Sequence, residues 1–212
     1  YVESIGPVSI SMDRFNLEEA RRNPTGMPDA EASAQAEEYL QKCIENQDSA
    51  GGVVSCKVHG MPAGIGEPVF DKLDACLGQA VMSIGAVKAF AVGDGCEVSK
   101  KNGSTNNDAF CNVNGQISKK TNHAGGILGG ISDGSDIILR AYFKPTPSIY
   151  QKQQTVNQAG EEIEIQIKGR HDPIVVSRAV VVVEAMTAVT ILDELLRNMT
   201  SRLDGIKKFY HK

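Results

Sequence analysis

Three short segments carry the residue types that could do chemistry. The first, FKPTPSI, follows an apolar strand pattern and combines a lysine, two prolines and two hydroxyl side chains, at Lys144, Pro145, Thr146, Pro147 and Ser148. An ammonium and hydroxyl groups on a backbone restricted by proline could bind a phosphate or the polar edge of a ring. The segment also fits an ordinary strand-terminating turn, because proline is common there.

The second segment, KGRHDP (168–173), combines basic residues with one carboxylate. A carboxylate flanked by Arg170 and Lys168 is expected to stay ionised unless burial reverses the balance, so Asp172 could accept a proton or orient a donor. Asp-Pro before a helix is equally typical of capping, with Pro173 in the first turn. Both interpretations remain open at this point.

The third segment, NHAGGILGGISDG (122–134), contains five glycines in thirteen residues. Paired glycines can form an anion-binding concavity, let a flat ligand approach the backbone, or allow packed elements to cross closely. Neither the P-loop nor the GxGxxG nucleotide fingerprint is present. Ser132 does not lie in GxSxG, and His123 has no partner at metal-ligand spacing, so neither a serine hydrolase nor a metal site is expected.

The elements that must position these segments are readable from periodicity. A strand with a break at Pro7 is expected within residues 1–12, a helix over 28–44, a strand over 51–58 and a helix over 70–82. Asn114-Gly115 predicts a tight hairpin. A second hairpin is expected around Gly160, with Ile163, Ile165 and Ile167 on a buried face.

Residues 177–199 are ambiguous, because four consecutive valines favour a strand. The polar residues between Glu184 and Arg197 nevertheless share about half of a helical circumference. The length also exceeds the roughly 10 residues of most strands, so we predict a long, mostly buried helix.

Composition limits the function classes. A 212-residue chain with 41% hydrophobic residues fits one domain, and a net charge of −4 gives no reason to expect a nucleic-acid partner. No stretch reaches the length of a membrane span, so no membrane partner is expected. Five cysteines without a CxxC pair favour a reduced, cytoplasmic protein.

Taken in chain order, with the glycine-rich segment first, then KPTPS and then GRHDP, the three segments resemble motifs of the chorismate synthase family. The matching residues are NHAGGILGGIS, KPTPSI, and GRHDP followed by RAVVVVEAM, and GEPVFDKLDACLGQAVMSIGAVKAF (66–90) resembles the family segment before them. The resemblance is specific from about Gly51 to the start of the C-terminal tail and looser over residues 1–50.

The resemblance implies a lyase of the shikimate pathway that converts 5-enolpyruvylshikimate 3-phosphate to chorismate by 1,4-elimination of phosphate. Reduced FMN is the implied cofactor, without net redox change, and NADP is among the nucleotides associated with the family. The implied fold is α+β, a β-α-β sandwich of helices between antiparallel sheets, and the implied assembly is a homotetramer.

Motif positions also imply site residues. The implied flavin contacts are Gly85, Ala86, Gly130, Lys144, Pro145, Thr146, Pro147, Ser148 and Arg170. Asp172 would lie near the flavin N5 and help the flavin take the proton lost in the elimination. The leaving phosphate needs positive charge, which Lys144 and Arg170 could supply.

Two departures bear on this interpretation. The family's catalytic histidines, substrate-binding arginines and an Arg-Ser-rich flavin segment have no counterpart here, so we expect residues 1–212 to be a single domain without its N-terminal part, with weak or no activity alone. Asp133 adds a carboxylate where the family loop is usually neutral, which weakens a phosphate-facing role. The alternatives are a non-catalytic flavin- or phosphate-binding module and a self-associating structural fragment.

Overall fold

The structure is a computed structural model that describes residues 1–169 and 172–210. Its strands are β1 (Val2–Ile5), β2 (Val8–Ser9), β3 (Gly52–Val58), β4 (Val87–Val92), β5 (Phe110–Val113), β6 (Gln116–Lys119), β7 (Ile127–Leu128), β8 (Ile131–Ser132), β9 (Ile137–Phe143), β10 (Gln153–Val156) and β11 (Glu162–Ile165). Its helices are α1 (Leu17–Ala20), α2 (Ala30–Glu45), α3 (Leu73–Met82), α4 (Gly103–Asn106), α5 (Val176–Asn198) and α6 (Leu203–Tyr210). This mixture of helices and antiparallel sheets confirms the predicted α+β class.

Residue contacts divide the chain into two compact units. Unit 1 comprises Tyr1–Val54 and Tyr142–Val180, and unit 2 comprises Ser55–Ala141 and Val181–Lys212. The expectation of a single domain over residues 1–212 stays a prediction.

In unit 1, β1 pairs antiparallel with β2 and with the first residues of β3, in the register Val2↔Val54 and Ile5↔Gly52. The predicted helix over 28–44 is α2. Asp29 begins it, because its carboxylate accepts hydrogen bonds from the backbone N–H groups of Glu31 and Ala32. The break expected at Pro7 separates β1 from β2.

The second hairpin of unit 1 forms where it was predicted but is buried less than expected. Strands β10 and β11 pair antiparallel, with Gly160 in the loop between them. Ile163 is half-buried and Ile165 is exposed, so the prediction of one buried face is wrong. In the described part of the chain this two-stranded sheet pairs with no third strand, and a lone hairpin buries little apolar surface.

Unit 2 is built around a sheet and one amphipathic helix. The remainder of β3, then β9, then β4 are hydrogen-bonded in that order. Burial alternates along β9, where Ile137, Leu139 and Ala141 are fully buried. Helix α3 buries Leu73, Leu77 and Val81, which recur every four residues as the sequence pattern predicted. The helix begins three residues later than predicted, and Phe70, expected on the same face, lies before it and is exposed.

The Asn114-Gly115 prediction is confirmed. Strands β5 and β6 pair across this turn, and both residues have positive φ, 53° and 84°. A two-residue turn of this type matches the right-handed twist of the flanking strands, which is why the dipeptide predicts it so well.

Helix α5 confirms the helical interpretation of residues 177–199, but the predicted extent of burial is wrong. In unit 2, Thr187 and Glu194 are each 2% exposed, whereas Val181 and Leu192 are 64% and 57% exposed. The Thr187 hydroxyl donates to the Val183 carbonyl at 2.7 Å, which makes its burial tolerable. Among the described residues, no helix is long and apolar enough to cross a membrane.

Candidate functional site

The KPTPS segment of unit 1 begins directly after β9 and is held by residues 49–51. Ser49 Oγ donates to the Thr146 carbonyl at 2.7 Å. A Cβ atom on Gly51 would lie 2.6 Å from the Phe143 carbonyl oxygen and 3.2 Å from Pro145 Cδ, so only glycine fits. The segment therefore has a defined position against the chain that enters β3.

Two side chains of this segment carry polar groups that are available to bind a ligand. Lys144 is exposed, and no carboxylate in the described part of the chain lies within 4.0 Å of its ammonium group. Thr146 Oγ1 is buried and has no hydrogen-bond partner among the described atoms. An unpaired buried hydroxyl costs about 1 to 3 kcal/mol, so Thr146 is a site where a polar ligand atom would be stabilising.

Asp172 follows the KGRH segment and is about half exposed. Its carboxylate accepts a hydrogen bond from the Arg178 guanidinium, in the first turn of α5. Helix α5 begins at Val176, four residues after Asp172, so Asp172 does not occupy the capping position that the Asp-Pro pattern suggested. Arg170, an expected flavin contact, lies outside the described residues.

Residues 49–51 connect the KPTPS segment to the Asp172 segment within unit 1. Ser49 bonds to Thr146, and the next residue, Ala50, donates its N–H to the Pro173 carbonyl at 2.7 Å. Sequence reasoning missed Ser49, because the glycines at 51 and 52 indicated only a flexible entry to a strand. The structure thus places Thr146 and the neighbour of Asp172 against adjacent residues of one loop.

In unit 2 the glycine-rich segment forms a very small hairpin. Strands β7 and β8 pair in the register Ile127↔Ser132 and Leu128↔Ile131, across a turn at Gly129 and Gly130. Both turn glycines have positive φ, 60° and 84°. These two glycines are therefore required by the turn, whatever ligand the tip contacts.

The other pair in this segment is explained by close packing. A Cβ atom on Gly125 would lie closer than 3.0 Å to backbone atoms of Gly93, and one on Gly126 would lie 2.5 Å from the Asp136 carbonyl oxygen. A Cβ atom on Gly129, by contrast, would have no described atom within 4 Å other than its chain neighbours. Close packing therefore explains Gly125 and Gly126, whereas Gly129 at the hairpin tip has open space beside its Cβ position.

Gly130, the expected flavin contact in this loop, lies at the start of α3. Its carbonyl accepts a hydrogen bond from the Leu73 N–H at 2.8 Å, and the Lys72 side chain fills the space that a Cβ atom would occupy. Gly85 and Ala86 follow the other end of α3. A ten-residue helix is about 15 Å long, so the structure does not bring this pair next to Gly130.

The turn at Gly85 and Ala86 has an unusual backbone. Ala86 has φ 71°, which is uncommon for a residue with a side chain, while Gly85 is exposed with open space around it. Backbone strain of this kind clusters at functional sites, so this turn remains a candidate ligand contact.

Carboxylates that the sequence did not single out hold the start of the glycine loop. Asp108 accepts hydrogen bonds from the N–H groups of His123 and Ala124, at 2.7 and 3.0 Å. His123 Nδ1 lies 2.6 Å from Asp94 Oδ2. Burial opposes ionisation of Asp94, but the hydrogen bonds from Lys101 and His123 outweigh it and lower the pKa of that carboxyl. The His123 side chain therefore contacts Asp94 and helps to hold the start of the glycine loop.

Comparisons with known proteins agree with one another. A family model described as chorismate synthase matches residues 1–196. The chain is 59% identical to chorismate synthase of Lachnoclostridium phytofermentans over 213 residues and 56% identical to that of Agathobacter rectalis over 212 residues. Each alignment covers 100% of this chain and 58% of the relative. A solved structure, "Crystal Structure of Chorismate Synthase", aligns with TM-score 0.76 and 26% identity, over 98% of this chain and 59% of that one.

Proposed function

The chain belongs to the chorismate synthase family, and on that premise we propose that it contributes a flavin-binding surface and a carboxylate to a carbon-oxygen lyase. The reaction is the 1,4-elimination of phosphate from 5-enolpyruvylshikimate 3-phosphate to give chorismate, in the biosynthesis of aromatic amino acids. The chain spans 58% of the length of the curated relatives it matches, so these activities are proposed for a polypeptide that contains it.

The observation that carries this proposal is the unpaired Thr146 hydroxyl beside an exposed lysine. Thr146 Oγ1 is buried without a partner in the described chain, and Lys144 lies two residues before it at the end of β9. A hydroxyl and a free cation fit the polar ring edge and the phosphate of FMN. Pro145 and Pro147 fix the intervening backbone, so little conformational freedom is lost when a ligand binds.

The other implied contacts follow from position in the family motifs. Ser148, Gly85, Ala86 and Gly130 are proposed as flavin contacts, and Arg170 is proposed on motif position alone. Reduced FMN, when bound, supplies an electron-rich ring for the elimination without net redox change.

Asp172 is proposed to assist movement of the proton that the elimination releases. The hydrogen bond from Arg178 orients its carboxylate, and its half-exposed position leaves an oxygen accessible. A carboxylate held in this way can accept a proton or orient a donor. Lys144 would offset the negative charge of the anion that it contacts.

The cell compartment and the assembly are proposed from the family. We expect a cytoplasmic homotetramer for the complete enzyme. All five cysteines are free, which supports a reducing compartment.

The proposal is tested by phosphate release from 5-enolpyruvylshikimate 3-phosphate with reduced FMN in the absence of oxygen. We expect turnover by a polypeptide of the relatives' length that carries these residues, and weak or no turnover by the 212-residue chain. Asp172→Asn should slow the longer polypeptide by about 100-fold or more. The exposed Asp193→Asn is the matched control and should act at the wild-type rate.

Equal rates for Asp172→Asn and the wild type would contradict the role given to Asp172. Comparable turnover by the 212-residue chain would contradict the view that further catalytic residues lie elsewhere. Flavin binding without turnover in the longer polypeptide would favour the non-catalytic module.

A further inference from the structure

Ser132, in the glycine-rich segment, is one of the most highly connected buried polar residues of unit 2. It is 3% exposed and makes four hydrogen bonds to the segment Pro62–Ile65. Its Oγ donates to the Pro62 carbonyl at 2.6 Å and accepts from the Ile65 N–H at 2.9 Å. Its backbone N–H donates to the Ile65 carbonyl, and its carbonyl accepts from the Gly64 N–H, both at 2.8 Å.

The segment that Ser132 contacts is itself anchored in unit 2. Asn198, the last residue of α5, donates from Nδ2 to the Gly64 carbonyl at 2.9 Å. Arg197, beside it, bridges Asp71 at 3.2 Å and Glu194 at 3.1 Å. The Pro62–Ile65 segment, which supports the glycine hairpin, is thus itself hydrogen-bonded to the end of α5.

This support determines where the hairpin tip lies. Ser132 pairs with Ile127 across β7 and β8, and Gly130 lies two residues before it, at the turn. A Cβ atom on Gly66 would lie closer than 3.0 Å to the Gly130 carbonyl oxygen, so the chain after Ile65 runs directly against the tip. The two hydrogen bonds of Ser132 Oγ thus connect the position of the tip to a segment that is hydrogen-bonded to α5.

We propose that Ser132 is a positioning residue that holds the Gly129–Gly130 tip in the orientation that binds flavin. This inference rests on the proposed function, in which Gly130 contacts the flavin. Ser132 itself has no part in the chemistry, because its hydroxyl donates one hydrogen bond and accepts another, both with backbone groups. Removing Oγ leaves the Pro62 carbonyl and the Ile65 N–H without these bonds and releases the tip.

The test is anaerobic titration of a polypeptide of the relatives' length that carries these residues with reduced FMN, at a temperature where every variant is folded. Ser132→Ala should weaken flavin binding by about tenfold, which corresponds to about 1.4 kcal/mol of binding free energy, because the released tip must be ordered again when flavin binds. Ser132→Cys keeps the size of the side chain with a weaker donor and should give an intermediate affinity. Amide exchange in Pro62–Ile65 and at the hairpin tip should rise in both variants.

Two controls separate positioning from stability. Val183→Ala removes volume from a fully buried site in α5 and should lower the melting temperature while leaving flavin affinity unchanged. Ser83→Ala removes an exposed hydroxyl that bonds only within its own helix end and should change neither quantity. Wild-type affinity in both Ser132 variants, or an equal loss of affinity in Val183→Ala, would overturn the proposal.

The variant Lys144→Ala distinguishes failure of the positioning role of Ser132 from failure of the proposed function. If the wild type binds flavin and Lys144→Ala weakens binding while the Ser132 variants do not, only the positioning role is overturned. If the wild type does not bind reduced FMN at all, the proposed function fails and the inference resting on it fails with it.

Discussion

The Lys119 ammonium contacts the Asp133 carboxylate, and their side chains are only 4% and 9% exposed. This pair joins the end of the β5–β6 hairpin to the glycine-rich segment. The pair also changes the expected effect of Asp133 on an anion. The extra charge of this residue was expected to weaken a phosphate-facing role for the loop. Because Lys119 neutralises the charge locally, Asp133 does not repel an anion as a free carboxylate would.

Asp133→Asn should therefore destabilise the chain. It leaves a buried ammonium without its counter-charge, which typically costs about 3 to 5 kcal/mol. Adding Lys119→Met should restore most of this loss, because the buried charge is then removed as well. Chemical denaturation measures both variants, and Glu38→Gln, which breaks an exposed pair with Lys42, should change little. Equal stability of Asp133→Asn and the wild type would show that the pair contributes nothing.

Acid should destabilise unit 1 through Asp29. Burial opposes ionisation of this carboxylate, but hydrogen bonds from Arg14, Ser11 and Ala32 outweigh it and lower the pKa to about 2. A pKa below the unfolded value stabilises the fold at higher pH, and that contribution is lost as pH falls from about 4 towards 2. The expected loss is about 2 kcal/mol, measured by denaturation at each pH.

Asp29→Asn is the comparison for that pH series. It should be less stable than the wild type at pH 7, and the difference should shrink as pH falls towards 2. A constant difference across this range would contradict the lowered pKa of Asp29.

Glycine substitutions distinguish packing from ligand approach. Gly93→Ala should cost about 3 kcal/mol or more, since φ is 59° and a Cβ atom would lie closer than 3.0 Å to the His123 carbonyl oxygen. Gly85→Ala should leave stability almost unchanged, because nothing lies within 4 Å of its Cβ position. If Gly85 contacts flavin, Gly85→Ala should still weaken flavin binding by about tenfold, or about 1.4 kcal/mol.

Thermal unfolding and flavin titration of the same two variants measure these effects. Wild-type flavin affinity in Gly85→Ala would remove Gly85 from the proposed contacts. A stable Gly93→Ala would contradict the close approach of the chain at residues 93 and 125.

Local patterns predicted the elements well, because each depends on neighbouring residues. Asn114-Gly115 specifies its own turn, and the alternation along β9 specifies its buried face. The supports of the site were not predictable in this way. Ser49 bonds to a carbonyl 97 positions away, and His123 meets Asp94 from 29 positions away. No spacing rule within one element encodes such contacts.

Helix α5 and Asp172 show how sequence patterns alone can mislead about burial and about the partners of a side chain. The polar residues of α5 share one half of the helix, yet Thr187 and Glu194 on that half are buried. Bonds within the helix satisfy the Thr187 hydroxyl and one oxygen of Glu194, which lowers the cost of this burial. Asp172 was expected to interact with its basic sequence neighbours, and its described partner is Arg178 on the following helix. Burial and partner choice depend on tertiary packing that a single sequence does not display.

The most direct test of the central claim is anaerobic titration of a polypeptide of the relatives' length that carries these residues with reduced FMN, comparing Thr146→Val with Thr155→Val. Thr146 carries the unpaired buried hydroxyl, whereas Thr155 is an exposed threonine of β10 in the same unit. The account predicts saturable binding that Thr146→Val weakens by about tenfold and Thr155→Val leaves unchanged. Absence of binding by the wild type, or equal affinity of the wild type and Thr146→Val, would contradict it.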